Sequence, residues 1–271
     1  MSKTLLATFA ARFALPLYFA VTFGFAWGCW GLVAVARRAA LPPSVADALQ
    51  IVGAFAPLLA ALTVTALQGT TRDFLARGVR PKVELRWVGF VVFAPAALML
   101  AAIALTVEWG TPTPKFPSLW QWPMVAINFV AVLLVGGPLG EEFGWRGFAL
   151  PIMQTRFGAV RSNVALGAIW ALWHLPLFWM TGTAQSQLPF GLFFALTIAL
   201  SVIYTWLFNN TEGSVLLAML FHASINTWSG PLRILPTATH SLRPYQITAV
   251  LVCAAALVLV VTGRVRRKTT G

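Results

Sequence analysis

The chain contains long stretches without a charged residue, and these restrict the fold more than any other feature. A helix needs about 20 apolar residues to cross the roughly 30 Å of hydrocarbon in a bilayer. Charge-free runs of this length recur throughout the 271 residues, and only 10% of the residues are charged. A soluble domain carries about 25% charged residues. The sequence therefore predicts an all-α, polytopic membrane protein.

About eight membrane-spanning helices are predicted, packed in one bundle. The charge-free run 162–211 is too long for one span, and the polar patch Thr181–Gln187 divides it into two. The predicted spans are 13–36, 48–71, 87–107, 116–140, 163–180, 188–208, 213–232 and 244–263. The first apolar run is longer than the core of a signal peptide, so we expect an uncleaved anchor. We expect residues 1–271 to form a single membrane-embedded domain.

The distribution of basic residues predicts the orientation of the chain. Short cytoplasmic loops of membrane proteins are enriched in Lys and Arg. With the N-terminus inside, the inner segments hold 13 basic residues: Lys3, Arg12, Arg72, Arg77, Arg80, Lys82, Arg86, Arg156, Arg161, Arg264, Arg266, Arg267 and Lys268. The outer loops hold five: Arg37, Arg38, Lys115, Arg233 and Arg243. We therefore expect cytosolic termini, with the lipid bilayer rather than a nucleic acid as the partner of this charge.

Composition suggests the source of the protein and the state of its thiols. Arginine outnumbers lysine 15 to four, which is typical of GC-rich bacterial genomes, so we expect a bacterial cytoplasmic membrane. Cys29 and Cys253 lie far apart in apolar runs. We expect both to be small buried side chains rather than parts of a disulfide or a metal site.

Three charged residues interrupt an otherwise apolar segment. Glu141, Glu142 and Arg146 follow the helix-loosening sequence Gly136-Gly137-Pro138. Three charges at membrane depth cost on the order of 5–10 kcal/mol, so they require pairing or a function. Glu142 and Arg146 are four residues apart and can pair on one side of a helix. Glu141 points about 100° away and lacks a partner on its own helix.

Two histidines also lie in predicted spans. His174 follows Trp170 by four residues and His222 precedes Asn226 by four, so each pair shares a helix face. Counted at 1.5 Å per residue from the inner helix ends, Glu141, both histidines and Asn226 lie roughly 12–18 Å deep. We therefore expect one site, built from three helices and open to the cytosolic side.

This set of side chains is compatible with several functions. A carboxylate and an imidazole can together hold and deprotonate a water molecule. A second imidazole and an amide can stabilise an oxyanion. Both functions are needed to hydrolyse an amide bond. Glu141, His174 and His222 could instead ligate zinc or another divalent metal. A proton-coupled transporter could use them as a relay, although the sequence has no inverted repeat. A non-catalytic scaffold or immunity protein could keep the pocket to bind a partner.

Other intramembrane hydrolases are disfavoured by the sequence. It contains neither the HExxH motif of zincins nor the GxSxG motif of serine hydrolases. No aspartate lies within a predicted span, so an aspartyl dyad in the membrane is not available.

The order of the motifs resembles the CPBP family of intramembrane proteases. This family includes the type II CAAX prenyl endopeptidases and the bacteriocin-processing or immunity proteins of the Abi group. The three motifs similar to the family's read Glu141-Glu142-x-x-x-Arg146, Trp170-x-x-x-His174 and His222-x-x-x-Asn226. One departure is Trp170, because the second motif of the family usually begins with Phe.

The resemblance implies an endopeptidase that cuts a membrane-embedded or membrane-tethered peptide, either CAAX-like or of the bacteriocin type. It places the catalytic core at about 122–230. It assigns water activation to Glu141 and His174, the oxyanion hole to His222 and Asn226, and a supporting role to Glu142 and Arg146. Members of the family are commonly called metalloproteases, so the resemblance leaves a requirement for a metal open.

Overall fold

Helices make up most of the part described by the structure, a computed structural model that covers residues 3–78, 83–239 and 241–265. No strand occurs among these residues, and the predicted all-α fold is confirmed. The helices are α1 (Lys3–Arg12), α2 (Ala14–Arg38), α3 (Pro43–Ala54), α4 (Ala56–Gln68), α5 (Thr71–Gly78), α6 (Leu85–Glu108), α7 (Trp122–Val135), α8 (Pro138–Gly144), α9 (Leu150–Trp173), α10 (Phe190–Asn210), α11 (Val215–Ser229), α12 (Pro236–Thr239) and α13 (Arg243–Val261).

Four helices are long and apolar enough to cross a membrane on their own: α2, α6, α10 and α13. Two further spans are bent, and the described residues reach six spans if each bent pair counts as one. The first pair is α3 with α4, and the second runs from α7 into α8 and α9. Helix α11 is apolar but shorter. The chain is therefore an integral membrane protein, whereas eight spans and cytosolic termini stay predictions.

Glycine and proline determine where the bent spans break. The bend of 48° between α3 and α4 lies at Phe55, next to Pro57 in the first turn of α4. The second break separates α7 from α8, and the two parts of that span are bent by 44°. Gly137 has a φ of 110°, which favours glycine, and Pro138 then begins α8. The predicted loosening at 136–138 is confirmed.

Helix α8 is held in the protein interior by a close approach to the bend between α3 and α4. A Cβ atom on Gly140 would lie 2.8 Å from Phe55 Cα, and one on Gly144 would overlap Pro57. Small residues four apart permit such contact between helices in membranes. This contact fixes the helix that carries both glutamates of the first motif.

Two expectations about local structure are corrected. The predicted span 163–180 ends at Trp173, because the residue before Pro176 is disfavoured in an α-helix, and a 3₁₀-helix continues over Leu175–Trp179. His174 therefore lies just past the end of α9 rather than within a helix. Cys29 and Cys253 are free but only half-buried, not fully buried as expected.

Helices α6, α10, α11 and α13 surround a cavity of about 1050 Å³. Helix α10 packs against α9 and α13, and α6 packs against α11 and α13. The break after Trp173 and the α8 helix bring polar groups into this otherwise apolar space.

Candidate active site

All four predicted catalytic residues line the same cavity. Glu141 comes from α8, His174 from the end of α9, and His222 and Asn226 from one face of α11. Glu141, His174 and His222 are buried, whereas Asn226 is exposed. The structure thus places the expected side chains around one space, and their catalytic roles stay predictions.

Trp170 lies at the centre of this group and contacts three of its members. Its indole Nε1–H donates a hydrogen bond of 2.6 Å to Glu141 Oε2, across 29 residues of sequence. Its backbone oxygen lies 2.8 Å from His174 Nδ1. Its ring meets the His222 ring edge-on, with 5.6 Å between the centroids. The partner of Glu141 that the sequence left unidentified is therefore an indole from another helix.

Glu142, Arg146 and His222 form a second buried network beside Trp170. Arg146 Nη1 lies 3.1 and 3.0 Å from the two oxygens of Glu142, so the predicted pair is confirmed. His222 Nδ1 lies 2.8 Å from Glu142 Oε1. Glu142 and Arg146 have no exposed surface. A buried ion pair is stable only when its geometry is good, which the two short contacts of Arg146 provide.

Aromatic rings enclose the arginine of this network. The Cζ atom of Arg146 lies 4.4 Å from the Trp170 ring centroid and 4.0 Å from that of Tyr204. Such cation–π contacts strengthen when the cation is desolvated. Tyr204 lies on α10, and no motif in the sequence singled it out. The sequence marked Trp170 as a departure from the family's usual Phe, but its role as a hydrogen-bond donor was missed.

The hydrogen-bond partners assign the protons of the two imidazoles. A carbonyl oxygen only accepts, so Nδ1 of His174 carries the proton that it donates to Trp170. The carboxylate of Glu142 likewise accepts from Nδ1 of His222. In both rings Nε2 is then the nitrogen left for a ligand in the cavity.

The donor set does not fit the metal site that the sequence left open. Among the described residues, no group of three or more His, Cys, Asp or Glu side chains is arranged to hold a metal ion. One oxygen of Glu141 is already bound by the Trp170 indole.

Comparisons with known proteins agree with the motifs. The family model described as "Type II CAAX prenyl endopeptidase Rce1-like" matches residues 120–228. A relative from Methanococcus maripaludis named CAAX prenyl protease 2 is 27% identical over 222 residues, covering 78% of this chain and 82% of the relative. The resemblance to the type II CAAX prenyl endopeptidases is confirmed. Both matches indicate a protease, and the apolar helices place the chain in a lipid bilayer.

Replacement of Trp170 by Phe, the residue usual in this family, tests the hydrogen bond to Glu141. The variant keeps an aromatic ring but loses the indole N–H. A hydrogen bond to a charged group contributes about 1.5–3 kcal/mol, so we expect kcat for peptide cleavage to fall by about tenfold or more. Trp173→Phe is the matched control, since the buried Trp173 Nε1 has no hydrogen-bond partner. Equal losses in both variants would show that ring volume, not the N–H, matters.

Gly137 is expected to control the position of the Glu141 carboxylate. A Cβ atom at Gly137 would lie 2.5 Å from Glu141 Oε1, so Gly137→Ala must displace this oxygen. We expect cleavage activity to fall at least tenfold. Gly158→Ala is the control, because Gly158 has a φ of 75° but its added Cβ would meet open space. Both variants place alanine at a positive φ that favours glycine, which costs on the order of 1–3 kcal/mol in each. Similar activity of the two variants would contradict the contact.

Proposed function

We propose that this chain is an intramembrane endopeptidase that hydrolyses a peptide bond of a membrane-embedded or membrane-tethered substrate, with Glu141 as the general base. The observation that carries the proposal is the convergence of Glu141, His174, His222 and Asn226 on one cavity between apolar helices. The catalytic core is about 122–230, close to the residues that the family model matches. The similarity to a relative named as a CAAX prenyl protease supports the reaction class.

The base half of the site consists of Glu141 and His174. Trp170 holds one oxygen of Glu141, and the other is available to accept a proton from water. Nε2 of His174 can accept a second hydrogen bond from the same water. The water oxygen then adds to the substrate carbonyl carbon, and its proton passes to Glu141 and from there to the departing amide nitrogen.

The oxyanion half consists of His222 and Asn226. Since Nδ1 of His222 donates to Glu142, Nε2 can donate to an oxyanion only in the doubly protonated imidazolium. The carboxylate of Glu142, which accepts the hydrogen bond from Nδ1, favours that form, and the carboxylate of Glu141 on the same cavity adds to this effect. The amide of Asn226, one turn further along α11, supplies the second donor.

The walls of the cavity suit an apolar peptide segment. The volume of about 1050 Å³ is slightly above the range of roughly 300–1,000 Å³ that is usual for small-molecule sites. Beyond the polar group, the lining is mainly Leu, Ile, Val, Phe and Ala from α6, α10 and α13. We place the protein in the cytoplasmic membrane of a bacterium, where the natural substrate is a peptide anchored in that membrane.

Cleavage by purified protein in proteoliposomes tests the proposal. We expect the wild type to release product from membrane-tethered reporter peptides, detected by mass spectrometry. His174→Ala is expected to lose about 10²-fold in rate, because a general acid or base contributes 10²–10⁴-fold. Full activity of His174→Ala would remove it from the site. A wild type that cleaves no peptide of the panel would favour a non-catalytic scaffold instead.

A further inference from the structure

A second cavity, of about 850 Å³, shares no lining residue with the cavity that holds Glu141. It lies between the interruption of α9 at Gly158 and the turn that joins α10 to α11. Gly158 has a φ of 75° and a ψ of 168°, so a new helical part begins after it. Helix α10 is long and apolar enough to cross the bilayer, so its end at Asn210 lies near the lipid headgroups. The second cavity is therefore at the level of the headgroups.

Two hydrogen-bond donors that line this second cavity lack an acceptor. Arg161 is exposed and makes no hydrogen bond or ion pair with another described residue. The Nε2 atom of Gln154 is buried and has no hydrogen-bond partner in the described part of the chain either. A guanidinium and an amide N–H both donate, so a ligand that satisfies them must carry acceptor atoms.

Positive charge exceeds negative charge around the second cavity. Arg161 and Glu212 are the two charged residues of the lining. Two more exposed arginines flank it. Arg156 lies between two lining residues, and Arg264 precedes the residue whose backbone oxygen accepts a hydrogen bond of 2.7 Å from Asn209 in the cavity wall. Within the described ranges, three guanidinium groups against one carboxylate favour an anionic ligand.

The backbone adds to the attraction for an anion. Val215, the first residue of α11, lines the second cavity, and so do Ala159 and Val160 at the start of the second part of α9. The first N–H groups of a helix have no partner within that helix, and the helix dipole is positive at this end. Arg161 follows these residues directly, so one phosphate group can meet both kinds of positive charge.

We propose that the second cavity binds the phosphate group of an anionic phospholipid, with Arg161 as its main contact. Basic pockets between transmembrane helices bind anionic headgroups in this way. Phe157 and Phe208 also line the cavity, and Phe157 is 52% exposed, so an acyl chain can pack against these rings where a soluble phosphate would not. Binding there is independent of the proposed function, because no lining residue belongs to the catalytic set.

Lipid titration of the purified full-length protein in detergent tests this site. The midpoint of thermal unfolding is measured against ligand concentration, because a ligand that binds only the folded state raises it. Phosphatidylglycerol is the probe, phosphatidylcholine is the lipid without net charge, and inorganic phosphate is the soluble anion. Arg161→Gln removes the proposed contact. Arg38→Gln is the matched control, since Arg38 is an exposed arginine at the end of α2 that lines neither cavity.

Without lipid, both variants are expected to unfold at the wild-type midpoint, because both arginines are exposed. We expect phosphatidylglycerol to raise the midpoint of the wild type and of Arg38→Gln with the same apparent affinity. We expect it to bind Arg161→Gln about tenfold more weakly, as for the loss of one charge-assisted hydrogen bond.

Equal affinities of Arg161→Gln and Arg38→Gln for phosphatidylglycerol, or no rise in the midpoint of the wild type, would overturn the site. An equal rise with phosphatidylcholine would overturn the preference for an anionic headgroup. An equal rise with inorganic phosphate would overturn the assignment to a lipid. No peptide is cleaved in this measurement, so a protein that binds the lipid as expected but cleaves no peptide contradicts only the proposed function.

Discussion

Replacement of Glu141 by Gln is expected to abolish peptide cleavage while the protein stays folded. The amide has nearly the same shape, and its oxygen can still accept the hydrogen bond from the Trp170 indole. It cannot, however, take a proton from water. Removal of a general base costs about 10²–10⁴-fold in rate, and we expect a loss of about 10³-fold or more. The measurement is the initial rate of reporter cleavage in proteoliposomes, with the protein amount matched by gel filtration.

An exposed carboxylate elsewhere in the chain provides the control for the expected loss of cleavage activity. Glu108 ends α6, is exposed and lies outside the lining of the cavity. Glu108→Gln removes the same charge and is expected to keep the wild-type rate. Substantial activity of Glu141→Gln would mean that His174 deprotonates the water without the carboxylate, and would contradict the role proposed for Glu141.

Regularities within one helix could be predicted from the sequence, because helical spacing fixes which side chains are neighbours. Charge-free runs predicted the apolar helices, and spacing of four residues predicted the pair of Glu142 and Arg146. The break at 136–138 followed from the conformational limits of glycine and proline. These inferences depend on local geometry alone.

Contacts between distant segments could not be predicted, because no periodicity links residues on different helices. Glu141 and Trp170 are 29 residues apart, and Glu142 and His222 are 80 apart. The tryptophan in place of the family's usual phenylalanine was a usable signal, since only the indole carries an N–H.

Replacement of Arg146 by Met is expected to destabilise the protein strongly, because it removes the guanidinium that pairs with the buried carboxylate of Glu142. Breaking a buried pair by removing one partner costs about 3–5 kcal/mol. The measurement is the midpoint of thermal unfolding in detergent. An exposed pair in the same chain is the control: Arg86 lies 2.7 Å from Glu84, with 72% and 63% of their side chains exposed. Arg86→Met is expected to cost less than about 1 kcal/mol.

The double variant Glu142→Gln/Arg146→Met separates the role of the ion pair in stability from its role in the site. It also removes the carboxylate that Arg146→Met alone leaves buried without the guanidinium. We therefore expect most of the stability lost in Arg146→Met to return, because buried pairs can be replaced by neutral groups of similar volume at little cost. The amide oxygen still accepts from Nδ1 of His222, but the bond to a charged carboxylate, which favours the imidazolium most directly, is lost. We therefore expect peptide cleavage to stay at least 10²-fold below the wild type, as for the loss of an oxyanion donor. Recovery of activity together with stability would show that Glu142 and Arg146 only hold the helices in place.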